Sequence, residues 1–174
     1  MLGRAGTRLF KRPIYRTRQL IGALNPQIEI SERSEAEQLL GRKLWPLFES
    51  MTKRDQRHSL DVYRTLKGQG RTDRDLLIAS LLHDSGKAAL AGVKVRLWHR
   101  VAYVLLEAGA PWGLRRLATG RSGLAALSQH AERGALVAEA LGAPVAVVEL
   151  IRRHEDDGTV DERQRLLRLA DDSC

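Results

Sequence analysis

Sulfur is nearly missing from this 174-residue chain, which has a single cysteine, Cys174, at its last position. One thiol excludes an intramolecular disulfide and any cysteine-based metal site, and it predicts a reducing compartment. Aromatic residues are few, at 5%. The β-branched runs are short while Leu, Ala, Arg and Glu dominate, which favours helix over strand. No apolar run is long enough to span a bilayer: the best, "VAYVLLEAGAPWGL", is broken by Glu107 and Pro111 before the ~20 residues a span needs. The N-terminal residues contain no apolar core of the signal-peptide kind, and their arginines alone do not make a transit peptide, so the expectation is a cytoplasmic protein. Internal repeats, low-complexity tracts and a second domain are also missing.

What is present is enough for one sizeable core, with 43% hydrophobic residues in a chain of single-domain length. The net charge of +8 is uneven. Arg4, Arg8, Lys11, Arg12, Arg16 and Arg18 fall in the first 18 residues with no acid among them, leaving +2 on everything else. A basic arm over 1–33, with Pro13 and a turn at Asn25-Pro26, suits weak contact with nucleic acid or an anionic surface, or is simply solvated. From Ser34 to 174 the pattern is almost continuously helical.

"SEAEQLLGRKLWPLFESM" reads as two short helices or a kinked one, because of Gly41 and Pro46. "KRDQRHSLDVYRTLKGQG" places Leu60, Val62, Tyr63 and Leu66 at helical spacing, with His58 near the same face. Thr72 is the predicted N-cap of "RTDRDLLIASLLHDSGK". A longer helix is predicted over about 92–108, and another around His130 that Gly142 closes. Pro144 opens the next helix in its first turn, and Thr159 caps the last. The fold class is all-α, a compact bundle of six to eight helices.

Within "LIASLLHDSGKAAL" a core helix ends on two ionisable residues, His83 and Asp84. A buried carboxylate without a partner costs several kcal/mol, so a salt bridge, a cap or a metal ion must satisfy it. Five histidines are present, at 58, 83, 99, 130 and 154. All but one stand on separate predicted helices beside core residues, and the last helix ends in "LRLADD". A bundle converges side chains from distant helices on one interior point, and imidazoles with carboxylates but no thiolate select iron, manganese, cobalt, zinc or magnesium. Taken singly, each interior histidine reads as a satisfied core residue.

Taken together, "QRHSLDV", "LLHDSGK", "QHAERGA", "RRHED" and "RLAD" resemble the HD-domain metal-dependent phosphohydrolases over about residues 50–172. The order is especially similar to the compact symmetrical diadenosine tetraphosphate hydrolases and to the HD-x-G-K phosphodiesterases. The resemblance implies metal ligation by His58, His83, Asp84, His130, His154 and Asp171, with Asp84 bridging two divalent ions, iron or manganese favoured over Mg, Co, Zn or Ni. It also implies a metal-activated water attacking phosphorus in line, and Lys87 beside Asp84 neutralising a phosphate oxygen. Asp84 and Lys87 are then the catalytic pair. The family register selects Asp171 over its neighbour Asp172. Residues 88–128 are longer than the compact hydrolases have, which implies a differently shaped substrate pocket.

The expected function is a divalent-metal-dependent phosphohydrolase acting on a nucleotide or a related phosphate ester or anhydride. The alternatives are a non-catalytic module that senses a nucleotide, and a nucleic-acid- or membrane-associated protein that binds through its arm. His99 reads as a surface or packing histidine. "VKVRLWHRVAYVLL" reads as a core helix, with a membrane-surface helix as the alternative. Arg57, Arg133, Arg152 and Arg153 flank the histidines, but adjacent helix positions point about 100° apart, so most face solvent.

Overall fold

The computed structural model describes residues 26–88, 97–119, 122–156 and 161–174. The basic arm up to residue 25, the start of the helix expected from 92, and Thr159 lie outside the described residues. Nine α-helices, one 3-10 turn and no strand among the described residues make the chain all-α, with one helix beyond the expected range.

Helix α1 (Ile30–Glu49) begins four residues before the domain start read from the sequence. A reciprocal cap is the reason: the Glu29 backbone N–H donates to Glu32 Oε2 at 2.9 Å, and the Glu29 side chain accepts from the backbone of Glu32. Gly41, at φ 65, interrupts α1 in the left-handed region, so the kinked alternative holds. Glu32 is buried and takes Arg57 and Arg64 of helix α2 (Lys53–Gly68), each at 2.7 Å. The Arg57 hydrogen bond outweighs burial and lowers the Glu32 pKa, so the carboxylate stays charged and ties α1 to α2.

Helix α3 (Arg74–Leu82) is the centre of the fold. Its N-cap is Asp73 rather than Thr72, because the Asp73 side chain accepts from the Leu76 N–H at 2.9 Å. Leu76 through Leu82 are all buried, and a helix apolar on every side must be enclosed. The enclosure is made by α1, α2, α8 (Val145–Arg152) and α9 (Glu162–Ser173), all in contact with α3. Pro144 is the N-cap of α8 rather than a first-turn residue. Asp161 caps α9 by accepting from the N–H groups of Arg163 and Gln164.

Helix α4 (Leu97–Gly109), α5 (Pro111–Leu117) and α6 (Gly123–Ser128) build a smaller core of Leu114, Ala118 and Leu124 with Ala102, Tyr103 and Leu106. The single helix expected around His130 is broken at Gln129, where φ of −118° leaves the helical range, and α7 (His130–Ala140) follows. Gly142, at φ 80, ends that stretch as expected. No described helix is long and apolar enough to cross a membrane.

After α3 the chain tightens into the 3-10 turn Ser85–Lys87, which packs on α7. The approach is so close that a Cβ on Gly86 would run into the His130 carbonyl and lie 2.6 Å from the Gly134 nitrogen. Only glycine fits there. Gly86→Ala is expected to lower the urea unfolding free energy by about 2–3 kcal/mol through overpacking. Gly68→Ala, with nothing within 4 Å of its new methyl, should leave stability unchanged or slightly higher.

Candidate metal centre

Six elements deliver the cluster. His58 comes from α2, His83 is the C-cap of α3, and Asp84 enters the 3-10 turn. His130 is the first residue of α7, His154 lies in the turn after α8, and Asp171 is in the last turn of α9. Asp84 is also where α3 stops, since its φ of −93° and ψ of 0° turn the chain out of the helix.

The four imidazoles form a continuous edge-to-face chain. Ring centroids are 5.4 Å apart for His58–His83, 5.1 Å for His83–His154 and 5.0 Å for His130–His154. The carboxylates lie along it: Asp171 Oδ1 is 2.7 Å from His58 Nε2 and 3.5 Å from His83 Nε2. Asp84 reaches three rings, with Oδ2 4.0 Å from His58 Nε2 and Oδ1 3.3 Å from His130 Nε2 and 3.8 Å from His83 Nε2. The ligand atoms of His58, His83 and Asp84 all lie within 4.8 Å of one another, as do those of Asp84, His130 and His154. Asp84 belongs to both groups, and all six ligands expected from the sequence come together.

Tautomers follow from the second contacts. His83 Nδ1 sits 2.9 Å from the Ser80 carbonyl, His130 Nδ1 2.7 Å from that of Leu127, and His154 Nδ1 2.8 Å from that of Ile151. A carbonyl only accepts, so each Nδ1 carries a proton and each Nε2, when the ring is neutral, presents a lone pair to the centre. The partner is in each case the carbonyl three residues back, so the same local backbone turn orients three separate histidines.

This geometry is unstable without positive charge. His130 Nε2 and His154 Nε2 are 3.2 Å apart, and two lone pairs cannot bond to each other. His83 Nε2 is fully buried and makes no hydrogen bond. Burial, reinforced by the other imidazoles, pushes His154 down to about 3, so it is neutral at ordinary pH. Burial also opposes charge on His83, but the Asp84 and Asp171 carboxylates overcome it and raise that ring to about 9. For Asp84 and Asp171, burial is outweighed by the surrounding cations and donors, Lys87 foremost for Asp84 and His58 for Asp171, and both carboxyls lie well below the usual range. Ionised carboxylates around converging nitrogen lone pairs are a donor set of the kind that holds a divalent metal, and the cluster could bind one.

Lys87 folds back so that its ammonium pairs with Asp84 Oδ2, from the position three residues on in the 3-10 turn. Asp172 is directed away toward Arg168, so Asp171 is the aspartate of the cluster. The four flanking arginines are engaged elsewhere. Arg57 binds Glu32 and Asp61, Arg133 binds Gln129, Arg152 binds Glu132 and Glu149, and Arg153 binds Asp156. His99 stacks on Trp98 in α4, with ring centroids 3.7 Å apart, and is no part of the centre.

Two residues not anticipated from the sequence hold the His154 turn. Gln164 Nε2 donates to the Arg153 carbonyl at 2.5 Å, and Arg168 donates to the Glu155 carbonyl at 2.6 Å. They grip the backbone on either side of His154. With Asp171 they occupy positions i, i+4 and i+7 of α9, a single helical face. That spacing of polar residues ending on a suspected ligand was the available signal.

Comparison of the chain with family models, with curated proteins and with solved structures finds no match.

Gln164→Leu, nearly isosteric but unable to donate, is expected to weaken Mn2+ binding about tenfold in a chelator-competition titration while the helical circular dichroism is retained. Arg165→Ala, on an exposed residue paired only with Glu162, should leave binding unchanged.

Proposed function

We propose that this chain is a divalent-metal-dependent phosphohydrolase of the HD-domain kind, acting on a nucleotide or a related phosphate ester or anhydride. The observation that carries the reading is Asp84, a buried carboxylate shared by two histidine groups, with Oδ2 toward His58 and Oδ1 toward both His83 and His130. His58, His83 and Asp171 with Asp84 would hold one ion, and His130 and His154 with Asp84 a second, iron or manganese being favoured by the nitrogen and oxygen donors. When bound, such ions lower the pKa of a water nucleophile and neutralise charge on phosphate oxygens.

The protein side chains supply the rest. Nδ1–H bonds to carbonyls fix the orientation of three ligand rings, so little reorganisation is needed on binding. The two sides of the cluster differ in access: the His83 side chain is 0% and that of His130 4% exposed, against 22% for His58 and 29% for Asp171. A phosphate therefore approaches at the His58–Asp171 side. Lys87, 15% exposed and held on Asp84, stands at the same carboxylate as a point charge for a phosphate oxygen.

Anaerobically purified protein should contain about two ions per chain, and His130→Ala about one. Manganese- or iron-loaded protein should hydrolyse at least one of p-nitrophenyl phosphate, bis(p-nitrophenyl) phosphate and a nucleotide panel. Asp84→Ala should abolish at least about a thousandfold of that rate with the helical spectrum retained. Two ions without turnover on any substrate would replace the hydrolase by a nucleotide-sensing module.

A further inference from the structure

The sequence between the Lys87 turn and helix α7 lends the metal centre the Leu127 carbonyl, and it also carries five of the nine large apolar side chains that stand exposed in the described chain. On α4, Trp98 is 58%, Val101 40% and Leu105 67% exposed. Their spacing of three and four residues makes one stripe of the helix. The adjoining side of α4, through Ala102, Tyr103 and Leu106, already packs on the small core with α5 and α6. Trp112 and Leu117 of α5 add 68% and 55% exposure. A helix that is apolar both toward its own core and away from it is built to be covered on both sides.

We propose that this face docks on the surface of an anionic lipid bilayer. Charge selects the occupant. Residues 88–122 contain six bases, Lys94, Arg96, Arg100, Arg115, Arg116 and Arg121, against one acid, Glu107, a net +5. With the arm's six bases set aside as well, the rest of the chain is net −3. Positive charge is thus concentrated in the stretch that carries the apolar stripe. Two copies of a stretch with net charge +5 repel each other, and the chain's own basic arm is repelled for the same reason. Nucleic acid satisfies the charge but offers nothing to an exposed Val101, Leu105 and Leu117. An anionic bilayer satisfies both: aliphatic side chains and tryptophan rings enter the headgroup–acyl boundary while arginines and lysines meet the phosphates.

This inference does not rest on the metal centre or on hydrolysis, and it is tested without either. The full chain carrying Trp45→Phe keeps Trp98 and Trp112 as its only tryptophans, since Trp45 is the buried one of the three. With vesicles of phosphatidylcholine containing phosphatidylglycerol, its emission should shift to the blue and be quenched by acyl-brominated lipid. Co-sedimentation should be at least about tenfold stronger than on pure phosphatidylcholine and fall with salt. In the otherwise wild-type chain, the variant Trp98→Ser, Leu105→Ser and Trp112→Ser changes exposed residues only, so the fold should survive, and vesicle binding should drop at least about tenfold. Sedimentation without quenching, and equal in the triple variant, would assign the contact to the basic arm and overturn the proposal. A dimer in light scattering that the triple variant dissolves, with no vesicle binding, would give the face to a second copy. Tighter binding to RNA or DNA than to vesicles would also overturn it.

Discussion

Asp84 is the constraint on which the molecule turns. It is a charged carboxylate, almost fully buried, at the end of a helix whose last seven residues are all buried. Such a group is tolerated only among compensating polar partners, and the chain brings them from separate directions: the Lys87 ammonium from the next turn, and the imidazoles of His58 from α2, His130 from α7 and His83 from its own helix end. Each of those approaches fixes an element. The central helix stops where it does, the 3-10 turn curls, and α7 starts within contact of that turn. The architecture is a means of arranging positive charge and nitrogen lone pairs around one carboxylate.

The histidines show how an all-α frame achieves this with repeated local chemistry. Three rings use the same grip, Nδ1–H to the carbonyl three residues earlier, although one caps a helix, one begins a helix and one sits in a turn. The ring direction is set locally and the convergence is set by packing. The two layers of control are therefore separable: a packing change moves a ring as a rigid unit without altering which nitrogen it presents. The half-exposed His58 is held differently, by Asp171, on the more accessible side of the cluster.

Much of this was legible in the residues. The helical class follows from composition and from the punctuation of glycine and proline, and Gly41 and Gly142 act where they were expected to. Apolar neighbours marked the histidines and His83-Asp84 as interior, where an ionisable group needs a reason, but the set of six proposed ligands came from the resemblance and not from spacing. Helix ends were less legible. Thr72 was a plausible cap, but Asp73 accepts from the Leu76 amide and caps instead, and the last helix is capped by Asp161 where Thr159 was expected. The early start of α1 depends on two glutamates satisfying each other's backbone, a tertiary-free but uncommon pairing. Gln164 and Arg168 shared a helical face with Asp171, but their role was not legible, since they bind backbone carbonyls and nothing in a sequence marks which carbonyl needs a donor.

The near-contact of Gly86 with His130 has a further implication. The chain leaves the centre after Lys87 and returns at His130 some forty positions later, and both ends of that excursion are clasped by one backbone touch with no room for a methyl group. The excursion is therefore closed at its neck. Its length enters the closing entropy only logarithmically, and its last helix reaches back to the centre through the Leu127 carbonyl that holds His130. A protein with that layout can take a longer, shorter or differently greasy stretch ahead of that helix while its polar heart stays in register, which makes the neck the anchor and that stretch the free variable of descent.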